Sequence, residues 1–575
     1  MKTKVIVVSG GVISGLGKGI TASTIALLLQ GRNYRINVLK IDPYLNIDSG
    51  TMSPYEHGEC YILEDGSETD LDLGNYERFL ETNLSSLNSI TSGQIYKTVL
   101  DNERGGKYLG KTIQMIPHVT DEIIRRIENA TKTENKPFDF LIIELGGTVG
   151  DIESNIFLEA LRQMSNKHSI THVHVSLVPK INREYKTKPT QNSIKVLNSK
   201  GIFPKLLVIR CDDYLPDTAL DKLSLFSNIS KENIIQNVNV SNIYIVPSLF
   251  KTQAVDSKLL SSFNIKMRRE YNINSLVKYT EMSNLLNNEL NNELNNELNN
   301  EFINKKIAIV GKYNNSNDTY LSIIRAIEHA CLPHKVVPEV VFIEDIEQLI
   351  EATDVSGIII PGGFGYRGID IKLKAIDIAY QHDIPILGIC LGFQLMVVYL
   401  FKNILGYQSA FHAEWREHWN NENTLNDENN VPMMVIDKMP MVQEKENNSR
   451  DTLRDTLRDT SSTNTITLGG TMRLGEHPIN IKPNTMAYTF YNDELIISER
   501  HRHRYSLLDE YKLILEKNDN IVISGYSDRE SEILEVTNKR FFVGCQFHPE
   551  MKTRLNKPSP LFSGLIQSIL NLKNN

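Results

Sequence analysis

Ile384-Pro385-Ile386-Leu387-Gly388-Ile389-Cys390-Leu391-Gly392-Phe393-Gln394 is the stretch on which the fold of this 575-residue chain turns. An apolar run ends at a cysteine set between two glycines, and residues suited to a helix follow. That is the pattern of a nucleophile elbow, a tight strand-to-helix turn, with cysteine in place of the better-known serine. Glycines at 388 and 392 remove Cβ atoms that would collide in such a turn. The turn lifts the sulfur clear of the backbone and points the next helix's N-terminus at it, where N–H groups and the helix dipole favour a thiolate. The competing reading is a buried, inert cysteine in a glycine turn. The two are separated by whether the chain also supplies a base and an oxyanion hole.

Both are present. Gly357-Ile358-Ile359-Ile360 reads as a strand and ends at Pro361-Gly362-Gly363-Phe364-Gly365-Tyr366-Arg367-Gly368. A Gly-Gly turn after a strand leaves N–H groups exposed, as an oxyanion hole requires. Near the end, residues 541–545 form a strand pattern leading into Gln546-Phe547-His548-Pro549-Glu550. In extended chain residues two apart share a face. His548 can therefore deprotonate Cys390 while Glu550 orients the ring, giving a nucleophile, base and orienter in the roles of a triad.

The first half opens with its own motif. Val5-Ile6-Val7-Val8 is a buried-strand pattern running into Ser9-Gly10-Gly11-Val12-Ile13-Ser14-Gly15-Leu16-Gly17-Lys18-Gly19, and a helical run follows from Ile20 to Leu29. Strand, glycine loop with lysine, then helix is a phosphate cradle. The match is imperfect, because the first glycine sits one residue early and Gly19 replaces the usual Ser/Thr. A second strand pattern, residues 37–41, ends at Asp42-Pro43-Tyr44, and Asp70-Leu71-Asp72-Leu73-Gly74 follows. Phe138-Asp139-Phe140-Leu141-Ile142-Ile143-Glu144 places a carboxylate at a strand's C-terminal end, where ligands gather in open α/β sheets. Carboxylates downstream of a phosphate loop suit Mg²⁺, which prefers hard oxygen ligands. Gly146-Gly147-Thr148-Val149-Gly150-Asp151-Ile152-Glu153 and Lys186-Thr187-Lys188-Pro189-Thr190-Gln191 add an acidic glycine turn and a basic loop suited to a triphosphate.

The totals bound the class. The length calls for two to four domains. With 41% hydrophobic and 23% charged residues the composition is that of a soluble protein, and a net charge of −8 has the wrong sign for nucleic acid. The five cysteines (60, 211, 331, 390, 545) form no C-x-x-C pair, so neither a zinc site nor a disulfide framework is expected. No run of 18 apolar residues and no signal-peptide pattern occurs, which points to a cytoplasmic protein without membrane association.

Residues 10–20, Lys40-Ile41-Asp42-Pro43-Tyr44, 69–79, 144–154 and 186–191 together resemble the amidoligase domain of the CTP synthase family, and Asp70-Leu71-Asp72-Leu73-Gly74-Asn75-Tyr76-Glu77-Arg78-Phe79 is too long a run for chance. The Cys390, Gly362-Gly363 and His548/Glu550 motifs resemble the triad (class I) glutamine amidotransferase domain that forms the second half of the same family. The resemblance implies a fold class of two α/β domains, each with a mainly parallel sheet flanked by helices. It implies that ATP phosphorylates O4 of UTP and that ammonia, released from glutamine, displaces the phosphate to give CTP. By motif position Gly15, Leu16, Gly17, Lys18, Gly19, Ile20, Lys40, Asp72 and Val240 would bind ATP, and Asp72 with Glu144 would hold Mg²⁺. Ser14, Asp151, Ile152, Glu153, Lys186, Thr187, Lys188, Pro189, Thr190, Gln191 and Lys222 would hold UTP or the inhibitory product CTP. Gly363, Leu391, Gly392, Phe393, Gln394, Glu414 and Arg504 would bind glutamine, and Arg367, Gly368 and Asp370 the activator GTP. No organic prosthetic group is implied; a homotetramer is, with filaments as a further form.

The expected division is 1–270 for the amidoligase, 271–304 for a linker built on a Leu-Asn-Asn-Glu repeat, with a frayed helix as the alternative there, and 305–575 for the glutaminase. Residues 420–465, polar and carrying an Arg-Asp-Thr-Leu repeat, are expected to be a disordered surface insertion. Three departures from the family pattern stand out. Phe411-His412-Ala413-Glu414-Trp415 replaces Asn-Ser-Thr-Glu-Phe, Ser506-Leu507-Leu508 replaces Glu-Val-Asn, and Cys60 stands for a valine near the ammonia path. Two other readings remain open: an amidoligase with another acceptor, and an assembly scaffold with weakened glutaminase activity.

Overall fold

β-Branched residues on both faces of Val5-Ile6-Val7-Val8 demand cover on both sides, which a central parallel strand receives from crossover helices. In the computed structural model this stretch is β1 (Lys4–Gly10), every residue from Val5 to Gly10 buried. The structure describes residues 3–133, 136–266, 274–291, 303–312, 317–345, 347–348, 354–418, 432–438, 472–528 and 530–571. After β1 come α1 (Lys18–Gln30), β2 (Ile36–Asp42), α2 (Leu71–Leu80), β3 (Ser89–Thr91), β4 (Phe140–Leu145), α3 (Ile152–Met164), β5 (Ile170–Leu177), α4 (Lys188–Ser199), β6 (Leu206–Cys211), α5 (Asp217–Ser227) and β7 (Ile234–Val238). The strands form one seven-stranded sheet, order β7-β6-β5-β1-β4-β2-β3, with every pairing parallel. Its register sets Val8 and Lys40 on either side of Glu144, so the place of this carboxylate is fixed by strand pairing before any side chain packs.

A helix, α6 (Asn274–Asn291), occupies part of the stretch expected to be a linker. Its buried face is Tyr279, Met282 and Leu285, a three-residue spacing that lies upstream of the asparagine repeat. Tyr279 Oη donates to the Phe79 carbonyl (2.9 Å) and its ring packs on Phe79 and Tyr244. The helical signal was thus carried by apolar residues that the repeat distracts from. Residues 292–302 lie outside the described residues.

The later strands are β8 (Ile303–Val310), β9 (Val336–Ile343), β10 (Gly357–Ile360), β11 (Ile386–Ile389), β12 (Ala410–His412), β13 (Met433–Lys438), β14 (Arg473–Ile481), β15 (Ile496–His503), β16 (Tyr505–Leu507), β17 (Ile521–Tyr526), β18 (Ser531–Val536) and β19 (Phe542–Cys545). Helices α7 (Ile369–His382) and α8 (Leu391–Tyr399) follow β10 and β11. A nine-stranded sheet runs β9-β8-β10-β11-β19-β18-β17-β14-β15. It is parallel from β8 to β19, where the motif-bearing segments stand, and antiparallel from β19 to β15.

A three-stranded sheet, β12-β13-β16, lies apart from it. Its middle strand falls inside the expected insertion at 420–465 and corrects that expectation for residues 433–438: Val435 and Ile436 are fully buried. Met434 and Ile436 pair with Phe411 and His412, and Ile436 also pairs with Leu507. β13 therefore stitches together the two segments, 411–415 and 506–508, that depart from the family pattern. The remainder of 420–465 lies outside the described residues.

By packing, the chain forms two compact units that do not follow its order: 1–306 with 313–340 and 550–566, and 307–312 with 341–549 and 567–575. In the first, Arg554 pairs with Glu77 (2.7 Å), Arg78 donates to Ser322 (2.9 Å), and Tyr61 Oη donates to the Met551 carbonyl (2.6 Å). The second unit holds a buried ion pair between Arg473 of β14 and Glu532 of β18 (2.6 Å). Burial alone would raise the Glu532 carboxyl, but the His501 hydrogen bond and Arg473 hold it down to about 2. A depressed carboxylate stabilises above its unfolded value of 4.5 and loses that contribution as pH falls toward 2. Glu532→Gln is expected to lower stability by roughly 3 kcal/mol at pH 7, because it removes the buried carboxylate charge that Arg473 and His501 share and leaves Arg473 with Glu530 alone (3.2 Å). In denaturant unfolding the gap from wild type should shrink steadily below about pH 4.5.

Candidate active sites

The first site is built at the C-terminal edge of the parallel sheet. Gly17 caps α1 in the left-handed conformation (φ 80°), which lets the loop turn directly into the helix without a side-chain cap. A Cβ on Gly10 would lie 2.6 Å from Lys18 Cδ, so the lysine folds back along the end of β1 over a bare backbone. Lys18 is buried, and burial lowers its pKa against the pull of Glu144. The glycine turn at 146–150 docks on the same strand end, Val149 N–H donating to the Gly10 carbonyl (2.8 Å).

Lys40 supplies the charge at the centre. Its ammonium contacts Asp72 and lies 3.2 Å from Glu144, 3.5 Å from Asp70 and 3.7 Å from Asp42. Burial opposes its charge, yet Asp70, Asp72, Glu144 and Asp42 together hold its pKa well above the usual lysine value. Two ammoniums, Lys40 and the neighbouring Lys18, do not balance four carboxylates. Burial and the Asp72 charge push Glu144 up to about 7, although Lys40 and the Tyr76 hydroxyl, which donates to it, act in the opposite sense. Asp72 is held below its ordinary value despite burial, chiefly by Lys40.

This surplus of hard, negative oxygen is the donor chemistry that Mg²⁺ takes. No ready-made group of three His, Cys, Asp or Glu metal ligands is assembled among the described residues. Mg²⁺ commonly uses only one or two carboxylates and completes its shell with phosphates and water, so Asp72 and Glu144 fit it. Gly19 explains the imperfect phosphate-loop motif. A Cβ there would sit 2.1 Å from Asp72 Oδ1, so the carboxylate of α2 occupies the space where the usual loop carries its Ser/Thr hydroxyl.

The remaining nucleotide candidates are placed less tightly. Ser14, Gly15 and Asp151 are exposed on the two glycine turns, Ile152 and Glu153 are exposed in the first turn of α3, Leu16 is buried and Ile20 half-buried. Helix α4 runs beside both turns: a Cβ on Gly11 would strike Ser193, and one on Gly150 would touch Val196. At its start Thr187, Thr190 and Gln191 are buried and bonded inward, Thr190 Oγ1 donating to the Leu177 carbonyl (2.8 Å) and Gln191 Nε2 to Thr187 Oγ1 (3.0 Å). Lys188 is exposed, Pro189 is half-buried, and Lys186 pairs with Glu184. Lys222 is exposed on α5. Val240 follows β7, three strands and roughly 14 Å from β1 at ordinary strand spacing. Cys60 is half-buried, its sulfur 3.4 Å from the Ser49 hydroxyl.

The second site is the elbow. Cys390 has φ 51° and ψ −99°, a backbone conformation that costs on the order of 1–3 kcal/mol in a residue with a Cβ. Close packing holds it there. Cys390 N–H donates to the Cys545 carbonyl (2.8 Å), and a Cβ on Gly392 would lie 2.2 Å from the Ile360 carbonyl oxygen. Leu391, Phe393 and Gln394 are buried on α8. A Cβ on Gly362 would fall 2.9 Å from His548 Cε1 and 3.4 Å from Cys390 Cβ, so nucleophile and base stand against the same bare Cα. His548 is fixed by its own N–H, which donates to the Arg500 carbonyl (2.8 Å). Glu550 is buried two residues on, in the 3₁₀ turn Pro549–Lys552.

Gly363 lies against Leu391, and Gly365 N–H donates to Glu414 (3.1 Å). Burial raises the Glu414 carboxyl, while Gly365, Lys312 and Arg504 oppose the rise. Arg504 Nε is buried without a hydrogen-bond partner among the described residues. Arg367 donates to the Lys312 carbonyl (2.7 Å); Gly368 caps α7 (φ 79°), and Asp370 is exposed in its first turn.

Two family models match the chain: CTP synthase N-terminus over residues 4–265 and Glutamine amidotransferase class-I over residues 316–568. A CTP synthase of Pyrococcus furiosus is 43% identical, the alignment covering 98% of each chain. One of Caldanaerobacter subterraneus is 40% identical over 100% of this chain and 99% of its own. The chain belongs to the CTP synthase family. The glutaminase domain of a Trypanosoma brucei CTP synthase with bound acivicin is 27% identical, covers 47% of this chain and 95% of its own, and superposes with a TM-score of 0.37.

As a member of the CTP synthase family the chain carries both an amidoligase and a glutamine amidotransferase domain. Two side chains at these sites escaped the sequence reading. Tyr76 stands four residues after Asp72, one helical turn along α2, and that spacing could have placed both on one face. Lys312 contacts the Phe364 carbonyl beneath the Gly-Gly loop, and no motif marks it. Gly19→Ala is expected to displace Asp72 and cut ammonia-dependent CTP formation by roughly 100-fold, since an ångström of misplacement has that scale. Steady-state assays, with thermal unfolding as the control for folding, check it.

Proposed function

We propose that this protein makes CTP from UTP, ATP and glutamine by the division of labour that its two sites suggest. The observation that carries this reading is the pairing of His548 and Cys390 against Gly362 on a chain whose other site surrounds Lys40 with carboxylates beside a phosphate loop. At the glutaminase site His548 takes the Cys390 proton, and the sulfur attacks the side-chain amide carbon of glutamine. Backbone N–H groups at Gly363 and Leu391 receive the developing oxyanion. The C–N bond breaks as His548 returns the proton to the leaving ammonia, and water then hydrolyses the thioester to glutamate. Glu550 orients His548. Glu414 and Arg504, with opposite charges and an unsatisfied guanidinium N–H, suit the α-amino and α-carboxylate groups of glutamine.

At the amidoligase site the N–H groups of residues 15–20 and Lys18 hold the ATP phosphates. O4 of UTP takes the γ-phosphoryl group, ADP leaves, ammonia adds at C4, and inorganic phosphate departs to give CTP. Asp72 and Glu144 would hold Mg²⁺, which neutralises charge on the phosphates when bound. Lys40, which bridges these carboxylates, would also contact the ATP phosphates. Ser14, residues 151–153, residues 186–191 and Lys222 carry the pyrimidine nucleotide, and Val240 the adenine. GTP at Arg367, Gly368 and Asp370, feedback by CTP and assembly as a tetramer or filament complete the proposal. No helix among the described residues is long and apolar enough to cross a membrane.

Cys390→Ala should abolish glutamine-dependent CTP formation and leave ammonia-dependent formation intact, while Lys18→Ala should abolish both. Absorbance assays with each nitrogen source check this; loss of both activities in Cys390→Ala would contradict the division. Glutamate release, measured with and without GTP, tests the activator site.

A further inference from the structure

His412 stands where the family pattern has a small hydroxyl residue, and it is fully buried beside the glutaminase site. Its hydrogen bonds have only one consistent direction. The backbone N–H of Glu414 donates to His412 Nδ1 (3.1 Å), so Nδ1 is the acceptor and Nε2 carries the proton. Nε2–H then donates to Gln394 Oε1 (2.9 Å). Gln394 turns its amide N–H groups to the Tyr505 carbonyl (2.8 Å) and to Gln546 Oε1 (3.3 Å). With its oxygen so used, Gln546 presents Nε2–H to Cys390 Sγ at 3.8 Å. The Glu414 N–H sets the His412 ring, the ring and the Tyr505 carbonyl together set the Gln394 amide, and Gln394 sets Gln546, because a carbonyl and a backbone N–H cannot exchange roles. Burial pushes His412 down to about 3, so the ring stays neutral and the chain keeps this sense at any working pH. The ring stacks on Trp415 (4.3 Å between centroids, 23° between planes), and β13 pairs Ile436 against the His412 backbone.

We infer that His412 is a positioning residue for the glutaminase reaction: through Gln394 and Gln546 it fixes an N–H donor on the nucleophilic sulfur. That donor stabilises negative charge on Cys390 once His548 has removed its proton. The carbonyl of Arg502, 3.6 Å from the sulfur, only accepts and therefore suits the neutral thiol. The inference rests on the proposed glutaminase role of Cys390.

His412→Phe keeps the ring and its stack on Trp415 but removes both nitrogens; His412→Gln loses the stack and returns an N–H donor at the reach of Nε2. Two readouts in full-length protein separate positioning from packing: iodoacetamide alkylation of Cys390 at neutral pH, and kcat with KM for glutamine hydrolysis. His412→Phe should slow alkylation and lower kcat roughly tenfold, the scale of one buried hydrogen bond, with KM moving less. His412→Gln should recover most of both rates. Gln546→Met should reproduce the His412→Phe loss, and the double variant should be no worse than either single one. Phe matching wild type or outperforming Gln, or additive losses in the double variant, would overturn the inference. A wild-type enzyme that alkylates at Cys390 but releases no glutamate would instead overturn the proposed function, and the alkylation series would still decide the hydrogen-bond chain.

Discussion

A buried ammonium among carboxylates is the constraint on which the amidoligase site depends. Lys40 comes from β2, Glu144 from β4, and Asp72 from α2, and strand register alone sets the first two side by side. Their separate burial would be prohibitive: an isolated buried carboxylate or ammonium costs several kcal/mol, and only mutual compensation makes the cluster tolerable. Compensation is incomplete, as the rise of Glu144 to about 7 records. The site is therefore built with negative charge left over, next to a loop whose N–H groups and lysine favour phosphate. A cation and a polyphosphate arriving together would satisfy both halves, as the proposed nucleotide site requires.

The glutaminase site rests on shape instead of charge. Cys390 is held at a backbone angle it would not adopt alone, and three glycines make this possible by absence: Gly388 and Gly392 let strand and helix close, and Gly362 lets His548 approach the cysteine. The polar chain from His412 to Gln546 adds direction to that arrangement. His412 is fully buried there, its ring stacked on Trp415 and its backbone paired with β13.

Much of this was legible in the sequence because it depends on spacing. A cysteine between glycines after an apolar run, a lysine in a glycine loop after another, and His-Pro-Glu after a third each identify a strand's C-terminal end, and parallel strands gather their ends on one edge. What was not legible depends on partners distant in sequence. Gly19 looked like a defect in a phosphate loop until Asp72, 53 positions on, was seen to fill its space. Residues 433–438 looked like part of a polar insertion because their pairing partners are at 410–412 and 505–507. The buried face of α6 was hidden by the repeat that follows it.

Under the proposed function, nitrogen released at Cys390 becomes the amino group made at the Lys18 and Lys40 site. Supplying glutamine labelled with ¹⁵N in its side-chain amide, together with UTP, ATP and Mg²⁺, tests it most directly. The expected result is CTP carrying ¹⁵N at the 4-amino group, formed with one equivalent each of glutamate, ADP and inorganic phosphate. Glutamate released without labelled CTP, or labelled nitrogen found in a different acceptor, would contradict it.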